Sequence, residues 1–342
     1  MSPMKRPPVL AVVGATGAVG QTLLELLDER EFPFADLIPL ASERSAGDLV
    51  RCGRRDYTVR DLASFDFAGV DIALFSAGGA ISRQYAPKAA AAGAVVIDNS
   101  SEFRRDADVP LVVAEVNPEK IAERPRGIIA NPNCSTMQLM LALAPIHRAA
   151  GITRLNIATY QSVSGAGRSA LEELGRQTAA LLSFQDPSPK RFPVQIAFNL
   201  IPHIDEFQDN GYTREEMKLV WETRRILDDE SIAVNATAVR VPVFYGHAEV
   251  VNVETRRKLG AEQARALIAA MPGVQVVDER RAGGYPTPVT HAAGKDPVFV
   301  GRIRDDISQP NGLNLWVVAD NIRKGAALNA VQIAELLVKT DL

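Results

Sequence analysis

Cys134 stands in Asn131-Pro132-Asn133-Cys134-Ser135-Thr136, between a short apolar run and a long one. Gly127-Ile128-Ile129-Ala130 before it reads as a buried strand, and Asn-Pro-Asn as a turn whose proline cannot continue a ladder. Met137 to Ala150 then reads as a helix closed by Gly151. The thiol is therefore expected at the mouth of a helix, where unpaired N–H groups and the positive end of the dipole favour a charged sulfur. An ordinary thiol, with a pKa of ~8.5, is only a few per cent ionised at neutral pH, so such a position is where a cysteine gains nucleophilicity. The same context also suits a small buried hydrophobe, and other residues must decide between the two.

A nucleophilic thiol needs an acid/base partner that titrates near neutral pH, and the chain has 4 histidines. His147 falls near the end of the helix behind Cys134, where an imidazole is expected to cap carbonyls. His203, in Leu200-Ile201-Pro202-His203, and His291, in a loop, have no anchoring neighbours legible in the sequence. His247 follows a strand bearing Arg240 and sits in Tyr245-Gly246-His247, a turn at a strand end, which places it best. Glu215 and Lys218 are three apart in Thr213-Arg214-Glu215-Glu216-Met217-Lys218 and share a helix face. A solvated salt bridge explains that pair equally well, and Glu216 could replace Glu215. Cys52 lies in a polar stretch of mixed charge and reads as a bystander.

The elements that must position these groups begin with Val9 to Val13, a β-branched run typical of a parallel strand covered on both faces. It leads into Gly14-Ala15-Thr16-Gly17-Ala18-Val19-Gly20 and then a helical run, Gln21 to Glu29, with Leu23, Leu24, Leu26 and Leu27 on one side. The spacing GxxGxxG departs from the GxGxxG dinucleotide fingerprint, yet its place at the first βα turn is where a pyrophosphate meets backbone N–H groups. The second strand ends in Ala41-Ser42-Glu43-Arg44-Ser45-Ala46-Gly47. Glu43 could bond the ribose hydroxyls of NAD, but Ser42, Arg44 and Ser45 form a better receptacle for a 2′-phosphate, so NADP is expected. A second glycine turn, Ser76-Ala77-Gly78-Gly79, closes another strand at the same sheet edge.

Further strands are expected at Leu37 to Ala41, Ile72 to Ser76 and Val95 to Asp98, alternating with helices such as Ile81 to Ala92, which implies a parallel sheet. After Gly151 the pattern changes. Leu155 to Tyr160, Ala233 to Val243 and Glu249 to Glu254 look like longer strands, with a helix-like stretch from Arg256 to Ala270, which suggests an α+β domain. A closing helix over Lys324 to Lys339 is expected to pack back on the first domain. Asp186-Pro187-Ser188-Pro189 and Gly283 to Pro288 read as loops.

A length of 342 residues favours about two domains, large enough to bury a core without staples. With 23% charged residues and a net charge of -3, nothing suggests a nucleic-acid or membrane surface. Sparse cysteine fits a reducing compartment. Lys5-Arg6 before Val9 to Val13 superficially resembles a signal peptide, but the glycine turn that follows argues otherwise, and a cytoplasmic protein is expected. A dinucleotide domain joined to a helix-capping cysteine suggests oxidation of an aldehyde through a covalent thioester. A simple alcohol dehydrogenase has no use for the thiol.

Asn131-Pro132-Asn133-Cys134-Ser135-Thr136, taken with Gly14-Ala15-Thr16-Gly17-Ala18-Val19-Gly20 and Tyr160-Gln161-Ser162-Val163-Ser164-Gly165-Ala166-Gly167, closely resembles the aspartate-β-semialdehyde dehydrogenases. The resemblance runs from about Pro8 onward and includes Asp98-Asn99-Ser100-Ser101, Arg240-Val241-Pro242-Val243 and Asp320-Asn321. The N-acetyl-γ-glutamyl-phosphate reductases share the plan but carry glycine where Asn133 stands. The resemblance implies an α/β fold in which a Rossmann-like, doubly wound parallel sheet (residues 1–133, completed by about 322–342) binds NADP. It implies a second, α+β catalytic and dimerisation domain (134–321) in a homodimer, with the last helix returning to the first domain. The implied reaction is reversible, NADPH-dependent reductive dephosphorylation of 4-phospho-L-aspartate to L-aspartate 4-semialdehyde and phosphate, on the way to lysine, methionine and threonine.

The same resemblance implies roles. Cys134 would form the acyl-enzyme, His247 would be the acid/base, and Gln161 would position the intermediate. Arg240 would grip the substrate carboxylate, a task suited to a planar guanidinium, and Glu215 would meet the ammonium group. Arg104, Lys218 and Asn133 would bind phosphate; the choice of Arg104 over Arg105 rests on the motif alone. Gly14, Thr16, Gly17, Ala18, Val19, Ser42, Arg44, Ser45, Ser76, Gly78, Ser164, Gly165 and Asn321 would contact the nucleotide, and no metal is expected. The rivals are a related acyl-phosphate or acyl-thioester reductase on another acid, and a non-catalytic NADP-binding paralogue.

Overall fold

The computed structural model describes residues 6–340, so Lys5 lies outside the described residues. The chain divides into two compact units, one running through Asn133 and resuming at Ala326, the other Cys134–Gly325.

The strands of the first unit are β1 (Val9–Val13), β2 (Asp36–Ala41), β3 (Leu49–Cys52), β4 (Arg55–Thr58), β5 (Arg60–Asp61), β6 (Ile72–Phe75), β7 (Val95–Asp98) and β8 (Ile128–Ala130). The apolar runs β1, β2, β6, β7 and β8 form strands because parallel pairing and cover on both faces suit their β-branched side chains. Sheet order is β5-β2-β1-β6-β7-β8, and every pair is parallel, which is the doubly wound arrangement with its switch point between β1 and β6. Helices α1 (Ala18–Glu29) and α2 (Gly79–Ala91) follow the glycine turns after β1 and β6. The antiparallel pair β3–β4 is not foreseen from the sequence. Its charged residues face out while Val50 and Cys52 are buried; burial raises the Cys52 thiol to about 11, and its Sγ donates to the Leu24 carbonyl at 3.2 Å.

The last helix, α7 (Leu328–Thr340), belongs to this unit, and its Leu328, Val331, Ile333, Ala334 and Leu337 join the core formed by Leu10, Leu23 and Leu27. Asn329 ties it down: its amide nitrogen donates to the Val112 carbonyl at 2.9 Å, and its oxygen accepts from Ala114 N at 3.1 Å. Arg30 of α1 clasps Glu335 with two bonds of 2.6 and 2.9 Å.

The second unit is built on a mixed sheet of order β10-β9-β11-β14-β13-β12. Its strands are β9 (Ile152–Gln161), β10 (Ala233–Arg240), β11 (His247–Thr255), β12 (Val274–Val276), β13 (Val298–Asp305) and β14 (Gly312–Ala319). The helices are α3 (Cys134–Ala150), α4 (Arg168–Leu182), α5 (Arg214–Leu227) and α6 (Ala261–Ala269). Helix α3 is buried continuously from Ser135 to Ile146 and packs on β11 and β14, with α5 and α6 beside it. Several expected boundaries move. Helix α3 starts at Cys134 rather than Met137, so the thiol belongs to the first helical turn. The helix expected from Arg256 starts at Ala261, because the Arg256 and Arg257 amides donate to the Gly151 and Ala150 carbonyls at 2.7 and 3.2 Å and end α3. Strand β10 stops at Arg240, just before Pro242.

Candidate active site

Three adjacent strands of the second unit end at one sheet edge. Gln161 is the last residue of β9, Arg240 the last of β10 and His247 the first of β11. Arg240 is in register with Gln161 on parallel strands, and Ala248 with Tyr160 on antiparallel ones. All three side chains are buried, with His247 sealed completely. The sulfur is held by the first turn of α3, half-buried, and lies close enough to Arg240 for their charges to couple. Gly325 presses on it: a Cβ there would lie 2.8 Å from the Cys134 Cβ and 3.3 Å from its Cα. Gly165 keeps the neighbouring approach clear, since its Cβ would lie 3.1 Å from an Arg240 guanidinium nitrogen and 3.3 Å from His247 Nε2.

The Gln161 amide nitrogen donates to Ser135 Oγ at 2.9 Å and to Glu215 Oε1 at 3.2 Å. A carboxylate accepts only, so this contact fixes which end of the amide faces it. Glu215 Oε2 accepts from Lys218 Nζ at 2.8 Å, and Asp205 takes the same ammonium at 2.8 Å. Burial pulls the Lys218 pKa down, but Glu215 and Asp205 together outweigh it and raise it. Glu216 is committed elsewhere: it forms a capping box with Thr213 at the start of α5 and accepts from Ala238 N at 2.9 Å. Of the two glutamates, Glu215 is the one that bonds Gln161.

His247 Nδ1 accepts from the Ser162 backbone N–H at 3.1 Å. The proton of the neutral ring therefore sits on Nε2, which has no hydrogen-bond partner among the described residues. Burial, and secondarily the Arg240 charge, hold the imidazole pKa down to about 3, so the ring is neutral at pH 7. Arg240 donates to the Ser162 carbonyl at 2.8 Å. Burial lowers the pKa of its guanidinium too, against opposing pulls from Glu215 and Cys134. Asn321 Oδ1 accepts from Ser162 Oγ, Ser164 Oγ and Gly246 N at 3.0, 3.0 and 3.1 Å, which pins both turns beside His247. Ser162, singled out by no sequence argument, thus orients both the imidazole and the guanidinium.

The other histidines stand apart from this group. His147 accepts at Nδ1 from Ile152 N at 3.1 Å, so it caps an amide of the next strand rather than the carbonyls expected of it. His203 stacks on Phe207 with centroids 4.4 Å apart, and His291 bonds within its own turn at Thr287 and Thr290.

The first unit presents a separate polar surface at the carboxyl ends of β1 and β6. Gly14, at φ +87°, donates to Leu40 O at 2.8 Å, and a Cβ on it would meet the Ser76 backbone at 3.0 Å. A Cβ on Gly20 would strike the Gly14 carbonyl oxygen. Thr16, Gly17, Ala18 and Val19 run from that turn into α1, for which Gly17 is the N-cap; Gly78, at φ +90° with open space around it, is the N-cap of α2. Two helix N-termini opening on glycine at a switch point fit the pyrophosphate of a dinucleotide. Ser42 precedes a single helical turn over Glu43–Ser45, and Ser42, Glu43 and Arg44 are exposed there. Ser76 Oγ donates to Val13 O at 3.1 Å. Arg104 is buried and donates to the carbonyls of Asn131 and Asn99 at 2.8 and 2.9 Å, whereas Arg105 is exposed; Asn133 is buried. Among the described residues no group of three His, Cys, Asp or Glu is arranged to hold a metal ion, and no helix is long and apolar enough to cross a membrane.

Two family models match the chain, a semialdehyde dehydrogenase NAD binding domain over residues 9–124 and a semialdehyde dehydrogenase dimerisation domain over 143–324. Aspartate-semialdehyde dehydrogenase from Legionella pneumophila is 60% identical, with 98% of this chain and 96% of that protein aligned. The crystal structure of aspartate semialdehyde dehydrogenase II from Vibrio cholerae complexed with ASA is similar at a TM-score of 0.96 and 57% identity, over 99% of this chain and 100% of that one. That of the enzyme from Candida albicans with NADP has a TM-score of 0.76 at 26% identity, over 97% and 99%.

Two outcomes are expected. Gly325→Ala should lose ~1–3 kcal/mol of stability in urea unfolding through overpacking at Cys134. Gly175→Ala, in α4 with nothing near its added Cβ, should gain ~0.5–1 kcal/mol. The reverse order would dismiss the close approach. For His247, the folded pKa near 3 lies below the unfolded ~6.5. The unfolded chain therefore binds more protons between those values, and stability falls as pH drops from 6.5 toward 3. In His247→Asn that part of the acid loss should disappear from the unfolding midpoint against pH.

Proposed function

The chain belongs to the aspartate-semialdehyde dehydrogenase family, and from that premise we propose that it catalyses reversible, NADP-dependent and phosphate-dependent oxidation of L-aspartate 4-semialdehyde through an acyl-thioester on Cys134. The observation that carries this reading is the convergence of Cys134, Gln161, Arg240 and His247 at one sheet edge, with the Glu215–Lys218 pair joined to Gln161. The helix terminus and the Arg240 charge favour a charged sulfur, which attacks the aldehyde carbon. Charge then builds on the aldehyde oxygen, and His247 Nε2–H, aimed by the Ser162 amide, donates to it. Arg240 binds the substrate carboxylate, Glu215 its ammonium group, and Gln161 steadies the acyl group. Bound NADP would supply a hydride acceptor for the carbon that carries sulfur. Phosphate attacks the thioester carbonyl, and the C–S bond breaks to return the thiolate and release 4-phospho-L-aspartate; Lys218 is the phosphate-binding candidate of the second unit, and Arg104 and Asn133 are those of the first. In the biosynthetic direction the steps reverse and serve formation of lysine, methionine and threonine.

For the nucleotide, Gly14, Thr16, Gly17, Ala18, Val19, Ser76 and Gly78 would face the pyrophosphate side, and Ser164, Gly165 and Asn321 the nicotinamide side. Ser42, Arg44 and Ser45 would take the 2′-phosphate. Exposed Arg44 has no ion pair among the described residues, which supports that role. The dimerisation domain supports a homodimer, and we place the enzyme in the cytoplasm.

Formation of NADPH from L-aspartate 4-semialdehyde, phosphate and NADP is expected, and Cys134→Ala should abolish it while NADP still binds. Absence of turnover in the wild type, or more than a trace in the variant, would defeat the reading. Arg44→Ala should raise the KM for NADP at least about tenfold and leave that for NAD unchanged, the loss of one charge-assisted contact of ~1.5–3 kcal/mol; equal effects on both would remove the 2′-phosphate assignment.

A further inference from the structure

Helix α4 carries two buried side chains that none of these steps uses. Glu173 and Gln177 stand one helical turn apart, on the same face of α4. Oε2 of Glu173 accepts from the Lys190 and Arg191 backbone N–H groups at 3.0 and 2.6 Å. Its Oε1 accepts from Phe192 N at 3.3 Å and from Gln177 Nε2 at 3.1 Å. All four partners are donors, a set that a carboxylate satisfies with both oxygens. Because Gln177 gives its nitrogen to Glu173, its oxygen faces the chain and accepts from Ile196 N and Ala197 N at 2.9 and 3.1 Å. Five backbone amides within residues 190–197 thus end on two side chains of one helix.

This clamped chain leads to the substrate site. Residues 190–200 form neither helix nor strand, and Lys190, Arg191, Phe198, Asn199 and Leu200 are exposed, so packing holds the segment only in its middle. There Ile196 and Ala197 are buried against Val163, Ala170 and Leu174. The chain then reaches Ile201, whose N–H donates to the Arg240 carbonyl at 3.0 Å and whose carbonyl accepts from Arg240 N at 2.8 Å. Strand β10 is an edge strand, and Ile201 thus engages both backbone polar groups of its last residue from the open side. The Arg240 guanidinium donates to the Ser162 carbonyl, and Val163 next to it packs in the same cluster as Ile196, Ala197 and Ile201. Arg191 also lies close enough to Arg240 for their charges to couple. Arg240 is therefore supported at its backbone and at its guanidinium by pieces that the α4 clamp holds in place.

We propose that Glu173 and Gln177 are positioning residues of this active site: by clamping residues 190–197 to α4 they fix Ile201 against Arg240 and so aim the guanidinium that takes the substrate carboxylate. The proposal rests on the reading of Arg240 as that group. Its test is steady-state oxidation by full-length Glu173→Gln of two aldehydes, with folding followed by thermal melts. The aldehydes are L-aspartate 4-semialdehyde and 3-aminopropanal, which is the same molecule without the carboxylate. The Gln side chain keeps the shape but turns an N–H donor toward backbone donors, which loosens the clamp. The KM for the semialdehyde should rise at least about tenfold, with kcat and the KM for NADP within about threefold. For 3-aminopropanal kcat/KM should stay within about threefold, because Arg240 has nothing to grip there. A merely structural loss would lower the active fraction, and hence kcat, on both aldehydes alike and leave each KM unmoved.

A folded Glu173→Gln with a wild-type KM for the semialdehyde overturns the proposal, as does an equal loss on both aldehydes. If Glu173→Gln does not fold, Gln177→Ala releases the Ile196 and Ala197 amides instead and should show the same rise in KM. If neither folds, the clamp is structural alone and the proposal falls. Arg240→Lys run in parallel separates the two levels. An unchanged KM for the semialdehyde there faults the role of Arg240, and the proposal with it; a raised KM there beside a normal one in Glu173→Gln faults the clamp alone.

Discussion

The second unit is organised around the burial of helix α3. From Ser135 to Ile146 every residue of that helix is buried, so it cannot shift without opening the unit's core. Cys134 is its first residue, and Gly325 closes on it from outside with no room for a Cβ. A reactive thiol on a loop would need its position fixed by contacts of its own. Here the position follows from packing that the fold needs in any case, and the side chains at the ends of β9, β10 and β11 are aimed at a fixed point.

Burial also sets the protonation states, and in more than one direction. It makes His247 neutral at pH 7 and raises the pKa of Glu249 well above the ordinary carboxylate range, because desolvation outweighs the neighbouring groups in each case. Lys218 keeps its charge because Glu215 and Asp205 hold it from both sides. Arg240 is fixed by a carbonyl and left with guanidinium valence to spare. The result is a permanent cation, a neutral imidazole donor and a carboxylate–ammonium pair within one buried polar layer. Under the proposed mechanism such a set would stabilise an oxyanion and a bound amino acid.

The parallel sheet, its glycine turns and the cysteine were legible because each is local: a run of four or five apolar residues, a turn dipeptide, a helix start. The returning helix α7 was legible from its apolar spacing alone. What escaped depended on distant partners. Strands β13 and β14 were missed, and the register that brings Gln161 opposite Arg240 cannot be read along the chain. The capping box engages Glu216 rather than Glu215, and Thr213 three residues before Glu216 was its visible signal. Ser162 acts through its backbone, which no residue type betrays. Glu249 marked only the start of an expected strand, and its burial depends on the α3 helix packed over β11.

The central claim is that Cys134 carries the acyl group between hydride transfer and phosphate attack, and intact-mass analysis tests it most directly. The enzyme mixed with L-aspartate 4-semialdehyde and NADP, with phosphate omitted, should form about one NADPH per site and gain one acyl mass that maps to the peptide of Cys134 and disappears when phosphate is added. NADPH formed without an adduct, or an adduct on any other residue, would contradict the account.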